Sequence, residues 1–334
     1  MLIFKVRSSQ LASQTEALIN AGPVATIKSA AGADVTFFGG EDANLFVYFA
    51  LPSSRPLATK QVTVSKRLMF KNRRFFLGVD FDSDLGKLQR LMAESIAGTT
   101  RRNAILNEMQ IQAGDTIVDI GCGAGHLLTH LAKAVGDSGT IYGLDPSEAQ
   151  LEQARKRCSE FENIKYIEKN ADDSQLETDS CHSVTSTQAL EYVPDVEPAL
   201  DEITRILKSG GAFVNVSILW DHFKFHGAEE KLNGKVHEAF RAHCSHQMLP
   251  MELPGKLERR GFESVKDRSL AFVITRRDNN SPARYSEAIM ANFALTQGLS
   301  VEEVSDWKSQ LEKADQQGRF GFTSFPVLTS AYLS

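Results

Sequence analysis

Cysteine is scarce in this sequence: there are four in 334 residues, at positions 122, 158, 181 and 244, with no CxxC pair. That pattern excludes a disulfide framework and fits a reducing compartment. Long apolar runs are missing too. No stretch approaches the ~18 residues that a membrane helix needs, and residues 1–10 lack the extended apolar core of a secretory leader. The expected location is therefore the cytoplasm, with no membrane insertion. An excess of positive charge is also lacking. Lys and Arg number 37 against 42 Asp and Glu, a net charge of −5, so no overall basic field draws the chain to nucleic acid. What remains is the balance of a globular chain, 42% hydrophobic and 24% charged, long enough for one large domain with a smaller companion.

The most informative stretch is 116–125, Thr-Ile-Val-Asp-Ile-Gly-Cys-Gly-Ala-Gly. Its β-branched run (Ile117, Val118, Ile120), interrupted only by Asp119, reads as a buried parallel strand. The strand breaks into Gly121, Cys122, Gly123 and Gly125, and Leu127, Leu128, Leu131 and Val135 follow at helical spacing. Strand, glycine turn and helix in that order let a ligand approach the backbone closely, over the unpaired N–H groups of a helix start. A second apolar strand, 140–144, ends on Asp145, 20 residues after Gly125. An acidic residue at that strand end can accept hydrogen bonds from both hydroxyls of a ribose. A dinucleotide fingerprint spaces its last two glycines by two residues; here the spacing is one, which weakens an NAD reading.

These residues resemble the S-adenosylmethionine (SAM) pocket of class I methyltransferases, whose first motif is Asp-x-Gly-x-Gly-x-Gly. Residues 115–220 continue to alternate strand and helix with short links. The predicted strands are 164–167, 182–186 and 212–219, and a helix over 196–207 is expected to stop at Lys208-Ser209-Gly210-Gly211. Over about 95–220 the chain resembles the methyltransferase type 11 group, which includes the ubiquinone/menaquinone C-methyltransferases. The likeness extends to Ala199-Leu200-Asp201-Glu202, Arg205-Ile206-Leu207 and Gly210-Gly211. It implies an α/β, Rossmann-like, seven-stranded mostly parallel sheet whose two closing strands come from 262–274 and 320–332. It also implies SAM as cofactor, S-adenosylhomocysteine (SAH) as product, and a small-molecule acceptor as partner. Asp119, Gly121, Cys122, Gly123, Gly125, Asp145, Pro146, Asn170, Ala171, Asp172 and Gln188 are the expected cofactor-binding residues. Arg101 and Arg102 fall where such enzymes place groups near the methionine carboxylate.

The chain departs from the group in two places. Lys169-Asn170-Ala171 replaces Gly-Asp-Ala, although an Asn side chain can still accept from the adenine amine and donate to its N1. Cys181-His182-Ser183 replaces Ser-Phe-Asp at a site that is mostly structural. No cysteine precedes Cys122, which argues against arsenite methylation.

Residues 1–82 read as a separate β-rich layer, with strand-like runs at 2–6, 34–38, 45–50, 61–70 and 74–81 and a helix-like segment at 9–19. Through residue 90 there are 12 basic against 7 acidic residues. Lys66, Arg67, Lys71, Arg73 and Arg74 beside Phe70 and Phe75 leave open a docking surface for RNA or protein, whereas outward Lys and Arg also protect exposed strands. The aromatic face of the layer leaves a homodimer open. The second domain is 83–334, with a helical insert within about 223–319 expected to act as a lid; Ser300 and Glu303 there form a capping-box pattern.

Methyl transfer is an in-line displacement that mainly requires alignment. A base is needed only when the acceptor must lose a proton. Asp221, His222 and His226 are the candidate catalytic residues, and Tyr192, Trp220 and His243 the candidate substrate contacts, because open α/β sheets bind ligands beyond the carboxyl ends of their strands. The i, i+4 spacing of His222 and His226, with His243 and His246 nearby, leaves a metal site or a merely polar lid surface as alternatives; no metal is assigned. A SAM-binding regulator without catalysis is the reading from a different functional class.

Overall fold

The computed structural model describes residues 91–279 and 281–334 in full, together with the backbone of four earlier strands. These are β1 (Ala25–Lys28), β2 (Asp34–Gly39), β3 (Leu45–Ala50) and β4 (Lys60–Gln61), an antiparallel sheet in that order. They belong to the first of two compact units, Met1–Val79 and Asp80–Ser334. The expected runs at 2–6 and 74–81, the helix at 9–19 and the basic cluster at 66–74 lie outside the described residues.

The second unit is built on a seven-stranded sheet. Five strands run parallel: β5 (Thr116–Ile120), β6 (Thr140–Leu144), β7 (Ile164–Ile167), β8 (Cys181–Thr187) and β9 (Leu207–Ile218). β14 (Pro326–Leu333) pairs antiparallel with β9, and β11 (Phe262–Ser269) antiparallel with β14. The resulting order is β11-β14-β9-β8-β5-β6-β7. This is a mixed, mostly parallel Rossmann-like sheet, as expected.

Alternation along β5 shows how both faces are covered. Ile117 packs with Ile105, Leu128, Leu131 and Leu151, from helices α1 (Ile96–Met109), α2 (Leu128–Val135) and α3 (Glu148–Arg157). Val118 and Ile120 turn to the other face, against Leu200 and Ile203 of α4 (Glu197–Ile206) and Leu253 and Leu257 of α6 (Leu249–Glu258). A strand buried on both faces must be apolar throughout, which makes the one interruption, Asp119, conspicuous. The chain crosses from β5 to β6 on one side and from β7 to β8 on the other. β5 and β8 are therefore neighbours at the point where the winding reverses, the place where such sheets leave a crevice.

Two local expectations are corrected. Gly210-Gly211 does not stop α4: the helix passes into β9 at Leu207, and the glycines lie where the β8–β9 register jumps from Cys181↔Leu207 to Ser183↔Ala212, a bulge. The predicted closing strands are each split. Only β11 and β14 join the large sheet, while β12 (Phe272–Ile274) and β13 (Gly321–Ser324) pair with β10 (Lys224–His226) in a separate three-stranded sheet.

That small sheet and helices α5 (Glu230–Arg241), α7 (Pro282–Thr296) and α8 (Val301–Gln316) share their own aromatic core. Phe225 sits 4.6 Å from Phe322 and 5.4 Å from Trp307, ring centre to ring centre. α8 starts with the predicted capping box: Glu303 N donates to Ser300 Oγ at 3.1 Å and Ser300 N to Glu303 Oε2 at 3.0 Å. Among the described residues, no helix is long and apolar enough to cross a membrane.

Candidate active site

The crevice at the winding reversal is lined first by the turn after β5. Gly121 has φ +70°, and a Cβ there would lie 2.2 Å from Ala189 Cβ, so only glycine lets the turn press against the segment that follows β8. Gly123 has φ +51° and is different: a Cβ there would meet nothing nearer than Gln150 Oε1 at 3.7 Å. Its bare backbone faces open space. The N–H groups of Gly121 and Cys122 both donate to Leu144 O, at 2.7 and 3.1 Å, which moors the turn to the end of β6.

Asp145 holds the same turn from its side chain. Its Oδ2 accepts from Gly123 N at 2.9 Å and its Oδ1 from Ser147 N at 2.9 Å. Each carboxylate oxygen can accept two hydrogen bonds, so one site on each stays free for a ligand diol. Burial raises the Asp145 pKa, and the two backbone N–H groups work against that rise. Asp119, 2% exposed, is pushed up to about 8 by burial and by the Asp145 charge. Gln150 Oε1, buried near Gly123, has no hydrogen-bond partner. Pro146, Asn170 and Asp172 are exposed and Ala171 is buried, at the ends of β6 and β7. Burial drives the Cys122 thiol well above its usual range, which excludes it as a nucleophile at neutral pH.

The second wall follows β8. Gln188 leaves the strand with φ +51°, its N–H donating to Val216 O at 2.7 Å, and its side chain accepts from Arg101 Nη1 of α1. Arg101, Tyr192 and Tyr285 are half-buried, with Tyr285 close enough to Arg101 to feel its charge. Burial brings the Arg101 pKa down to about 10, which leaves it charged, and its Nε has no partner.

Glu191 is fully buried and its pKa is pushed up to about 7, mainly by that burial. Asn215 Nδ2 donates to Ser217 Oγ at 3.0 Å, and Ser217 Oγ donates to Glu191 Oε2 at 2.8 Å. The N–H groups of Ser245 and His246 close on Glu191 O, and Trp220 N closes on Gln247 O, so the loop after α5 is tied across both residues.

Of the predicted substrate residues, His243 joins Trp220 and Tyr192, its ring centre 4.3 Å and 5.7 Å from theirs. Its Nδ1 lies 2.7 Å from Phe240 O; a carbonyl only accepts, so Nδ1 carries the proton and Nε2 is bare. Burial lowers its pKa to about 4, keeping the ring neutral and a weak base. The candidate catalytic residues are placed differently. Asp221 pairs with Arg241, and His222, in the turn before β10, and His226, on β10, are exposed. No group of His, Cys, Asp and Glu among the described residues is arranged to hold a metal. The buried carboxyl on this side is Glu191. Gln150, near Gly123, and Tyr285, near Arg101, were not singled out by any sequence pattern.

Comparison with known proteins bears on the fold and the domain. The methyltransferase-domain family model matches residues 111–269. The demethylmenaquinone methyltransferase of Staphylococcus aureus is 35% identical over 113 residues, 34% of this chain and 47% of that protein. The chain thus aligns with about half the length of the curated relatives it matches. Residues 111–269 are thus similar to a methyltransferase domain. The YcgJ protein of Bacillus subtilis shares the fold, with a TM-score of 0.51 at 18% identity over 70% of this chain and 98% of that one.

The residues present fit SAM, the donor that class I methyltransferases use. The free acceptor sites on Asp145 suit a ribose diol, and the bare face of Gly123 gives it room. Gln150 Oε1, an unpartnered acceptor, and Arg101 Nε, an unpartnered donor, suit the ammonium and carboxylate of an amino-acid tail.

Proposed function

We propose that the protein is a SAM-dependent methyltransferase acting on a small organic acceptor. The observation that carries this reading is the pairing of Asp145, anchored by Gly123 N and Ser147 N with acceptor capacity to spare, with the open backbone of Gly123 beside it. A demethylmenaquinone methyltransferase among the relatives supports a small acceptor. When bound, SAM supplies a methyl group already activated on a sulfonium sulfur.

The chain's own residues bind and orient. The turn at 121–125 and Asp145 fix the nucleoside, with Asn170, Ala171 and Asp172 beside the base. Arg101 and Gln188 tie α1 to the end of β8 and close the tail side. The loop at 243–247, hydrogen-bonded to Glu191 and Trp220, covers the acceptor side and excludes water. Alignment of this kind can supply ~7–11 kcal/mol of the barrier in well-oriented systems.

Calorimetric titration of Asp145→Ala with SAH tests the reading. Loss of binding is expected in a variant that still melts cooperatively, at a lower temperature because Gly123 N and Ser147 N lose their acceptor. Wild-type affinity in the variant would remove Asp145 from the site.

A further inference from the structure

Residues 168–180, between β7 and β8, form neither helix nor strand, and Gln175 and Asp179 take left-handed backbone at φ +59° and +52°. A segment without a ladder of its own must satisfy its backbone groups elsewhere. Here α4 supplies the partners. Glu202, buried on α4, accepts from Ser174 N at 3.0 Å and from the Ser174 hydroxyl. That hydroxyl in turn accepts from Leu176 N at 3.2 Å. Arg205, one turn on, donates Nε to Glu202 Oε2 at 2.7 Å and Nη2 to Oε1 at 2.8 Å, a two-pronged pair. The same guanidinium reaches Leu176 O at 2.7 Å and Thr178 Oγ1 at 3.1 Å. Backbone bonds from Asp179 N to Arg205 O and from Ser180 N to Ile206 O complete the clamp.

The clamp grips 174–180, and β7 ends at Ile167, so Asn170, Ala171 and Asp172 are strung between two fixed points. Ser174 is fully buried and stands only two residues past Asp172. A buried carboxylate is costly unless it is paired and hydrogen-bonded, and Glu202 is both. Hydrogen bonds from Arg205 and Ser174 outweigh its burial and hold its carboxyl below the usual range, so it is charged at neutral pH. An ion pair that only stiffened α4 would have no need of Ser174, Leu176 or Thr178; this one is aimed at the segment.

We propose that Glu202 and Arg205 are positioning residues that set how well the site distinguishes adenine from other bases. They act through Ser174 and Leu176, by fixing where Asn170 and Asp172 stand, and not by contact with the donor. This inference rests on the methyltransferase reading above, in which residues 170–172 lie beside the base. The Asn170 amide oxygen and the Asp172 carboxylate are acceptors, and the adenine amine is a donor. Such a bond needs about 2.7–3.2 Å between heavy atoms, so a shift of about 1 Å in the segment breaks it.

The test is calorimetric, on the full chain, with SAH and with the SAH analogue that carries hydrogen in place of the adenine amine. The wild-type chain should bind SAH about tenfold tighter, the scale of one or two hydrogen bonds. Glu202→Ala should bring that preference below about threefold. A general loss of stability weakens both ligands alike and leaves their ratio unchanged, so the ratio separates positioning from a purely structural role. Arg205→Ala leaves Glu202 bonded to Ser174 but frees Leu176 O and Thr178. It should lower the ratio as well, which keeps the proposal falsifiable if the first variant does not fold. A ratio that stays at the wild-type value in either folded variant overturns the proposal, as does equal binding of the two ligands by the wild-type chain. Failure of the wild-type chain to bind SAH would instead be a failure of the methyltransferase reading, so the two are told apart.

Discussion

Alanine at Gly121 and alanine at Gly123 should have opposite consequences, although the two glycines are two residues apart in one turn. At Gly121 the new Cβ would sit 2.2 Å from Ala189 Cβ, and carbon atoms in contact need about 3.5–4.0 Å, so the segment after β8 must retreat by roughly 1.5 Å. Overpacking of that size costs about 1–3 kcal/mol, and the left-handed backbone at φ +70° adds about 1–2 kcal/mol for a non-glycine residue. The sum corresponds to a fall in melting temperature of roughly 5–15 °C for a domain of this size. At Gly123 nothing lies within 3.7 Å, so only the backbone term remains, about 1 kcal/mol or a few degrees. Yet that methyl group would occupy the open face beside the Asp145 carboxylate. Gly123→Ala should therefore stay folded and lose SAH binding by at least tenfold. Thermal melts and calorimetry on both variants decide the matter. Undiminished SAH affinity in Gly123→Ala would refute the assignment of that face to the donor, and a Gly121→Ala protein as stable as wild type would refute the packing argument.

Two further outcomes follow from buried charge. Asp119 holds its proton in the folded chain up to about 8, whereas the unfolded carboxyl ionises near its usual value of about 4. The folded state carries the extra proton across that window, so stability falls as pH rises from about 4 to about 8. Asp119→Asn should flatten the slope; Glu191, raised for the same reason, keeps part of it. Melting temperatures at pH 5, 7 and 8.5 measure this, and an unchanged slope in the variant counts against it. On α7, Glu287 is 3% exposed and accepts from Arg277 Nε and Nη2 and from Arg284 Nη1 at 2.7–2.9 Å. Glu287→Ala leaves both cations without that partner and should cost about 3 kcal/mol by urea denaturation; a loss below about 1 kcal/mol would show that the arginines find water instead.

The parts of this structure that a sequence can show are those fixed by near neighbours. The strand, glycine turn and helix at 116–135, the acidic end of β6 at Asp145 and the Ser300–Glu303 cap all follow from spacing, and all are found. Gly210-Gly211 has the composition of a helix stop, but β8 pairs with β9 before and after it, so strand pairing overrides the local signal. The division of the last strands between two sheets depends on β10, three residues long, finding β13 almost a hundred residues away. The acceptor side was hardest to read. Five histidines within 222–246 drew attention to that stretch, but Asp221 is bound by Arg241, and His222 and His226 are exposed, His222 with its ring against Phe325. Glu191 is buried because the turn that carries it is pressed against Gly121 and covered by the 243–247 loop. Neither contact has a periodic signature.

The central claim, that the crevice at the β5–β8 reversal is a SAM site, is tested most directly by calorimetric titration of the full chain with SAM, SAH and NAD in parallel. Saturable binding of SAM and SAH at one site per chain, with no heat from NAD, is the predicted result. Binding of NAD alone, or of none of the three, would contradict it.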